Sequence, residues 1–260
     1  MGTGIEKTTL PIGVFDSGVG GISILRELVR LMPNENYIYF GDSANAPYGT
    51  KTLEQVVDLV CNDAEYLYNK GIKALVVACN TATSAGIGLL RKRYTEIPVI
   101  GIEPALKPAV LSAEHPIVLV MATPMTLREE KFRCLMQRFE EKAEIIPLPC
   151  PGLMEFVERG ELQSEALEQY LYHLFAPYEK VDAVVLGCTH YPFVRRTIQK
   201  VLGNETMLFD GGEGTARETR RRLEELKLLN PSEKQGNVIF ENSAKEEVLG
   251  KLCVDLFNYE

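Results

Sequence analysis

The chain has no C-x-x-C pair, no block of lysine or arginine and no apolar run of membrane-spanning length, and each absence removes a class of function. Its six cysteines (Cys61, Cys79, Cys134, Cys150, Cys188 and Cys253) are widely spaced. Neither a disulfide scaffold nor a zinc ribbon is therefore expected, and the expected compartment is a reducing cytoplasm. Lys+Arg number 28 against 36 Asp+Glu, a net charge of −8 that argues against a nucleic-acid partner. The densest basic run, Arg217-Glu218-Thr219-Arg220-Arg221-Arg222, is followed by Glu224-Glu225 and reads as a solvated helix face. An acidic chain can still bind a small acidic molecule where backbone N–H groups and hydroxyls line the site. The first ten residues have no apolar core, so no signal peptide is expected, and with no spanning run no membrane partner is expected. At 260 residues the chain is long enough for one large domain or two ordinary ones with a real core.

What is present is organised around residues 183–192, Ala-Val-Val-Leu-Gly-Cys-Thr-His-Tyr-Pro. An apolar β-branched run between polar flanks reads as a strand buried on both faces, as in a parallel sheet. It breaks at Gly187 into Cys188-Thr189-His190, at the strand end where open α/β sheets bind ligands. The stretch has an echo, because residues 73–81 match residues 182–190 position by position and place Cys79 where Cys188 stands. A second echo joins residues 12–17, ending in Ser17, to residues 117–123, ending in Thr123, at a similar offset. Two half-chains of this kind look like a duplicated α/β unit whose strand ends face each other across a cleft, with one thiol on each side.

Taken in order, residues 12–15 read as a strand, Asp16-Ser17-Gly18-Val19-Gly20-Gly21 as a glycine turn and residues 22–31 as an amphipathic helix. The turn is G-x-G-G, not G-x-G-x-x-G, and signals close backbone approach and anion binding more than a dinucleotide. A strand at 36–40 leads to a polar loop through Asp42, Pro47, Tyr48 and Gly49, and residues 52–70 form a helix stopped by Gly71. A helix runs from the Cys79-Asn80-Thr81 turn through Arg93, and 97–102 is a strand. Residues 103–108 mark a crossing into a second domain, with a strand at 117–121, a charged helix after Thr126, a strand at 144–147 and helical segments at 153–157 and 164–175 before Ala183. Residues 208–212 read as a crossing back, followed by a helix at 214–226, a strand at 237–242 and a helix at 245–257. The expected division is 1–102 with 213–260 as a first, discontinuous domain and 103–212 as a second.

Each cysteine is expected at a strand end just before a helix, where the helix N-terminus lowers a thiol's pKa. Asp16 and His190 stand near as bases, and alternation along an extended backbone lets Cys188 and His190 face one side. A hydrolase needs one such thiol. Two thiols flanking a small anionic substrate suit removal of a proton from one face of a carbon and return to the other, which is racemisation. An anion-binding regulatory module is the rival class, and its binding would survive alkylation of both thiols. Cys61, Cys134 and Cys253 read as inert core residues, and His115 and His173 as surface residues.

Asp16-Ser17-Gly18-Val19-Gly20-Gly21, Pro47-Tyr48-Gly49, Cys79-Asn80-Thr81-Ala82 and Gly187-Cys188-Thr189-His190-Tyr191-Pro192 resemble the four signatures of the glutamate racemases, within the cofactor-independent aspartate/glutamate racemase superfamily. The match runs from about Ile12 to the C-terminal helix. The resemblance implies two Rossmann-like, doubly wound α/β domains related by a pseudo-twofold, with the active site in the cleft between them. It implies interconversion of L- and D-glutamate for peptidoglycan synthesis with no cofactor and no metal, in a cytoplasmic homodimer. Carried over by motif, Cys79 and Cys188 are the acid/base pair, assisted by Asp16 and His190 respectively. Ser17, Tyr48, Gly49, Asn80, Thr81, Thr123, Thr189 and His190 would hold the substrate together with Asp16. Asp42 and Glu158 match acidic positions near the site. The chain departs from the pattern at Ala122, where members usually carry Gly, and in Asp210-Gly211-Gly212, where Ser is common. The leader before Ile12 is short, so the resemblance implies no activation by a peptidoglycan precursor. Aspartate and hydantoin racemases are near rivals, and His190 separates this chain from aspartate racemases, which tend to carry Glu there.

Overall fold

The computed structural model describes residues 6–244 and 247–259. The start of the leader and Lys245, the expected start of the last helix, lie outside the described residues. The chain divides into two compact units, Met1–Ile102 with Gly212–Glu260, and Glu103–Gly211.

In the first unit β1 (Ile12–Asp16) passes through the glycine turn to α1 (Ile22–Leu31), followed by β2 (Tyr37–Gly41), α2 (Leu53–Asn69), β3 (Ala74–Val77), α3 (Asn80–Arg93) and β4 (Val99–Gly101). Every residue of β1, β2 and β3 is buried, and a strand covered on both faces needs unbroken apolar residues, not alternation. Thr52 caps α2 by accepting from the Gln55 N–H while the Gln55 side chain accepts from the Thr52 N–H. Gly71, at φ 78°, ends that helix in the left-handed region that glycine enters without strain.

The second unit contains α4 (Leu106–Val110), β5 (Ile117–Ala122), α5 (Pro124–Arg128), α6 (Glu130–Gln137), β6 (Glu144–Pro149), α7 (Leu153–Glu158), α8 (Glu165–Phe175), β7 (Ala183–Leu186), α9 (Arg195–Leu202) and β8 (Met207–Asp210). One face of its sheet packs Val118, Val120, Ala183 and Val185 against α4 and Phe132. Burial of a Val- or Phe-sized side chain is worth about 1.5–3 kcal/mol, so this layer fixes where β5 and β7 end. The chain then returns to the first unit as α10 (Gly212–Glu225), β9 (Val238–Asn242) and α11 (Glu247–Phe257).

Both sheets are parallel, ordered β4-β3-β1-β2-β9 and β6-β5-β7-β8. Written from the other edge the second is β8-β7-β5-β6, the same order as β4-β3-β1-β2, with β9 an addition. The two sequence echoes are thus equivalent strands, β1 with β5 and β3 with β7. This is the two-domain parallel α/β class that the buried apolar runs indicate.

Some expectations need correction. Residues 208–212 are not simply a crossing, since Leu208 to Asp210 belong to edge strand β8 and Gly212 opens α10. Helices α4 and α9 have no counterpart in the sequence reading. Cys61 is half-buried and Cys134 exposed, so of the three cysteines assigned to the core only Cys253 is buried. The basic run on α10 is solvated, with exposed ion pairs Arg217–Glu213, Arg220–Glu224 and Arg221–Glu218.

Candidate active site

In the first unit β1 delivers Asp16 and Ser17 and β3 delivers Cys79, all buried. Asp16 Oδ1 accepts from the Gly18 N–H at 3.0 Å, so the aspartate closes the glycine turn on itself. The Tyr39 hydroxyl donates to the Gly18 carbonyl at 2.7 Å and pins that turn to β2. Gly21 has no substitute here, since a Cβ on it would lie 2.5 Å from Asp16 Cβ. The Ala78 N–H bonds the Phe15 carbonyl at 2.9 Å, and the next residue, Cys79, is the N-cap of α3. Its sulfur accepts from the Ala82 N–H at 3.5 Å and lies 3.4 Å from Ser17 Oγ. A helix N-terminus with an N–H aimed at sulfur favours the thiolate over the thiol. Asn80 and Thr81 open the helix and are buried, and Asn80 Oδ1 has no hydrogen-bond partner among the described residues.

The loop after β2 carries Asp42, Tyr48 and Gly49. Tyr48 is buried and its hydroxyl lies 2.6 Å from Asp42 Oδ2 and 2.7 Å from Asp63 Oδ2. Its hydroxyl is therefore taken up by two carboxyl groups, and the side chain positions the loop, in which Gly49 is half-buried. Burial, and then the charge of Asp42, push the Asp63 carboxyl up to about 8, while its hydrogen bond with Tyr48 pulls the other way. Asp63 was not singled out in the sequence. The available signal was its place on the buried face of α2 with Val56, Val60, Ala64 and Leu67, where a carboxylate interrupts an apolar stripe.

In the second unit Thr123 follows β5 and caps α5, accepting from the Thr126 N–H at 3.2 Å. The Gly187 N–H bonds the Met121 carbonyl at 2.7 Å, and Cys188 follows. Cys188 differs from Cys79 in one respect that corrects the sequence reading: no α-helix starts directly after it. A short 3-10 turn, Tyr191–Val194, intervenes before α9. The Cys188 sulfur instead lies 3.6 Å from His190 Nδ1, and His190 Nε2 lies 2.7 Å from Glu158 Oε1. His190 is buried, and burial alone would lower its pKa. The hydrogen bonds and charges of Cys188 and Glu158 outweigh that and hold it well above the ordinary imidazole value. A protonated His190 donates from both ring nitrogens, to sulfur on one side and carboxylate on the other. Thr189 is buried beside it. Cys150 also lies in this neighbourhood; it donates to the Leu148 carbonyl at 3.3 Å, and burial together with Cys188 pushes its thiol up, so it stays a protonated thiol.

The same topological position in each unit therefore presents a thiol with its own polar partner, Ser17 for Cys79 and the His190–Glu158 pair for Cys188. Comparisons with known proteins give the family. Residues 12–219 match the family described as Asp/Glu/Hydantoin racemase. A glutamate racemase of Clostridium botulinum is 53% identical over 254 residues, covering 97% of this chain and 98% of that one. Among solved structures, a glutamate racemase isoform of Bacillus anthracis matches with a TM-score of 0.87 at 29% identity, covering 97% of this chain and 96% of that one. The glutamate racemase of Francisella tularensis in complex with D-glutamate matches with a TM-score of 0.84 at 28% identity, covering 97% and 95%. With the family matched from the first strand to α10 and a relative identical at half its positions over nearly the whole length, the chain belongs to the Asp/Glu/Hydantoin racemase family.

Proposed function

We propose that this chain interconverts L- and D-glutamate without a cofactor, by moving the α-proton between two thiols. The observation that carries the reading is the repeated strand end: β3 and β7 occupy equivalent places in two sheets of one order, and each is followed by a small residue and then a cysteine with its own polar partner. The related proteins named glutamate racemase, one of them solved with D-glutamate, support glutamate over other small acids.

On this reading one sulfur, as thiolate, removes the α-proton from one face of glutamate, and the other, as thiol, gives its proton to the opposite face. The product is the other enantiomer, and the two sulfurs have exchanged protonation states, which readies them for the reverse reaction. Asp16 assists Cys79. His190, held by Glu158, donates to the Cys188 sulfur. The reading requires both sulfurs to reach one α-carbon. The carbanion must be stabilised electrostatically, by a protonated amine and by donors around the α-carboxylate. Ser17, Thr81, Thr123 and Thr189 supply hydroxyls, the backbone at Tyr48 and Gly49 supplies N–H groups, and Asn80 Oδ1 supplies a buried acceptor suited to the ammonium. Asp42 acts through Tyr48. The reaction would supply D-glutamate for peptidoglycan from the cytoplasm; among the described residues no helix is long and apolar enough to cross a membrane. The working form would be a homodimer, which light scattering on the purified chain measures directly.

The test is proton NMR of the α-hydrogen of L-glutamate, D-glutamate and L-aspartate, each incubated with the protein in heavy water with nothing added. The expected result is loss of the α-proton signal from both glutamate enantiomers and retention in aspartate. Retention in all three removes the proposal.

A further inference from the structure

The Tyr48 hydroxyl has one hydrogen and two carboxylate neighbours at 2.6 and 2.7 Å. It can donate to only one of them. Two ionised carboxylates would leave one oxygen facing a phenol oxygen with no proton between, inside a site where Asp42, Tyr48 and Asp63 are all buried. The count closes only if one carboxyl carries a proton. The partners decide which. Asp42 Oδ1 also accepts from the Asn45 amide at 3.0 Å, so Asp42 already meets a second donor. Asp63 has Tyr48 as its hydrogen-bond partner among the described residues. The charged groups acting on Asp63 are Asp42 after β2 and Asp16 at the end of β1, both acidic, and among the described residues no cation opposes them.

We propose that Asp63 is a positioning residue held as a neutral carboxylic acid, which donates to Tyr48 and thereby locks the loop at residues 47–50 against α2. Its O–H donates to Tyr48 Oη, and the Tyr48 O–H donates to Asp42 Oδ2. Asp42 in turn gives its backbone N–H to the Asp16 carbonyl at 2.9 Å, so the relay ends on the strand that carries Asp16 and Ser17. Loss of the Asp63 proton sets two like charges against one phenol, breaks one of the two bonds and frees the loop. The positioning role rests on the racemase reading above; the protonation state does not.

The test uses the full chain and two variants, Asp63→Asn, whose amide donates to Tyr48 at every pH, and Asp63→Ala, which cannot donate. In urea unfolding, the folding equilibrium constant of Asp63→Asn relative to wild type is expected to rise about tenfold per pH unit between about pH 5 and pH 8, because only the unfolded wild type ionises there. With glutamate at about pH 7, Asp63→Asn should keep kcat/KM within about threefold of wild type, and Asp63→Ala should lose about tenfold, mainly in KM. Above about pH 8 wild type should lose activity that Asp63→Asn keeps. A stability ratio flat across that range would overturn the neutral acid without any use of substrate. A sloping ratio with both variants equally active would overturn the positioning role.

Discussion

Ala78 and Gly187 make the same hydrogen bond in the two units, the first to the Phe15 carbonyl at 2.9 Å and the second to the Met121 carbonyl at 2.7 Å. Each holds the peptide just before a cysteine against the neighbouring strand, so the register of β3 on β1 and of β7 on β5 sets where each sulfur stands. The two positions differ in room. A Cβ at residue 187 would lie 2.7 Å from the Met121 carbonyl oxygen and 3.2 Å from Ala122 Cβ. Gly187→Ala should therefore push the end of β7 aside, lowering stability by about 1–3 kcal/mol. Racemisation should fall about tenfold or more, since displaced catalytic groups lose rate steeply. Urea unfolding and polarimetry read the two effects.

Replacing either sulfur tests the division of labour. Cys79→Ser and Cys188→Ser are near-isosteric, so circular dichroism and the unfolding midpoint should stay close to wild type. Racemisation should drop by about 10²–10⁴-fold in each, the usual contribution of one acid/base group. The two variants should also differ in sign: each retains α-proton exchange from only one glutamate enantiomer, and opposite ones. Near-wild-type turnover in either variant would falsify the two-thiol mechanism.

Much of this was legible from residues. The strands around Val14, Val76, Val120 and Val185 are buried on both faces, and burial of that kind leaves an unbroken apolar run in the sequence. The duplication was legible because equivalent strand ends keep small residues where backbones meet. Other features left weaker traces. The α9 helix follows a turn containing Pro192, and β8 is a partly exposed edge strand that lacks the apolar density of the central ones. The contact of His190 with Glu158 joins residues 32 positions apart, and nothing local announces it. Asp63 was visible only as a carboxylate out of place on an apolar helix face.

The His190–Glu158 contact makes a pH prediction whose sign is fixed by the direction of the shift. Because the folded imidazole titrates well above its ordinary value, the pair contributes stability that is fully present below about pH 6.5. That contribution is lost as pH rises through the folded pKa. The gap in urea midpoint between wild type and Glu158→Gln should accordingly be widest near pH 6 and close at alkaline pH. Nitrogen NMR of His190 should show the ring losing its proton at lower pH in the variant, and turnover near pH 7 should fall about tenfold or more as Cys188 loses its cationic donor. A His190 titration unmoved by Glu158→Gln would mean that Glu158 does not hold the imidazole proton.

The buried pair Lys73–Glu35 offers the opposite test, of stability without chemistry. Both side chains are almost fully enclosed, at 1% and 3% exposure. Lys73 also donates to the carbonyls of Thr8 and Leu228, and Glu35 accepts from the Asn230 N–H at 2.8 Å. One ammonium thus ties the leader, the start of β3 and the segment between α10 and β9. Burial pulls the Lys73 pKa down and Glu35 pulls it back up. Lys73→Met or Glu35→Leu alone leaves an unpaired buried charge and should lower stability by about 3–5 kcal/mol. The double variant should recover part of that loss, because no charge is left unpaired, but not all, because the Thr8 and Leu228 carbonyls and the Asn230 N–H lose their partners. Lys73 immediately precedes β3, whereas Cys79 follows it, so the two stand at opposite ends of one strand. At a temperature where each variant remains folded, kcat should match wild type. A fall in kcat that tracks the stability loss would mean that the strand transmits strain from its buried base to the thiol at its tip.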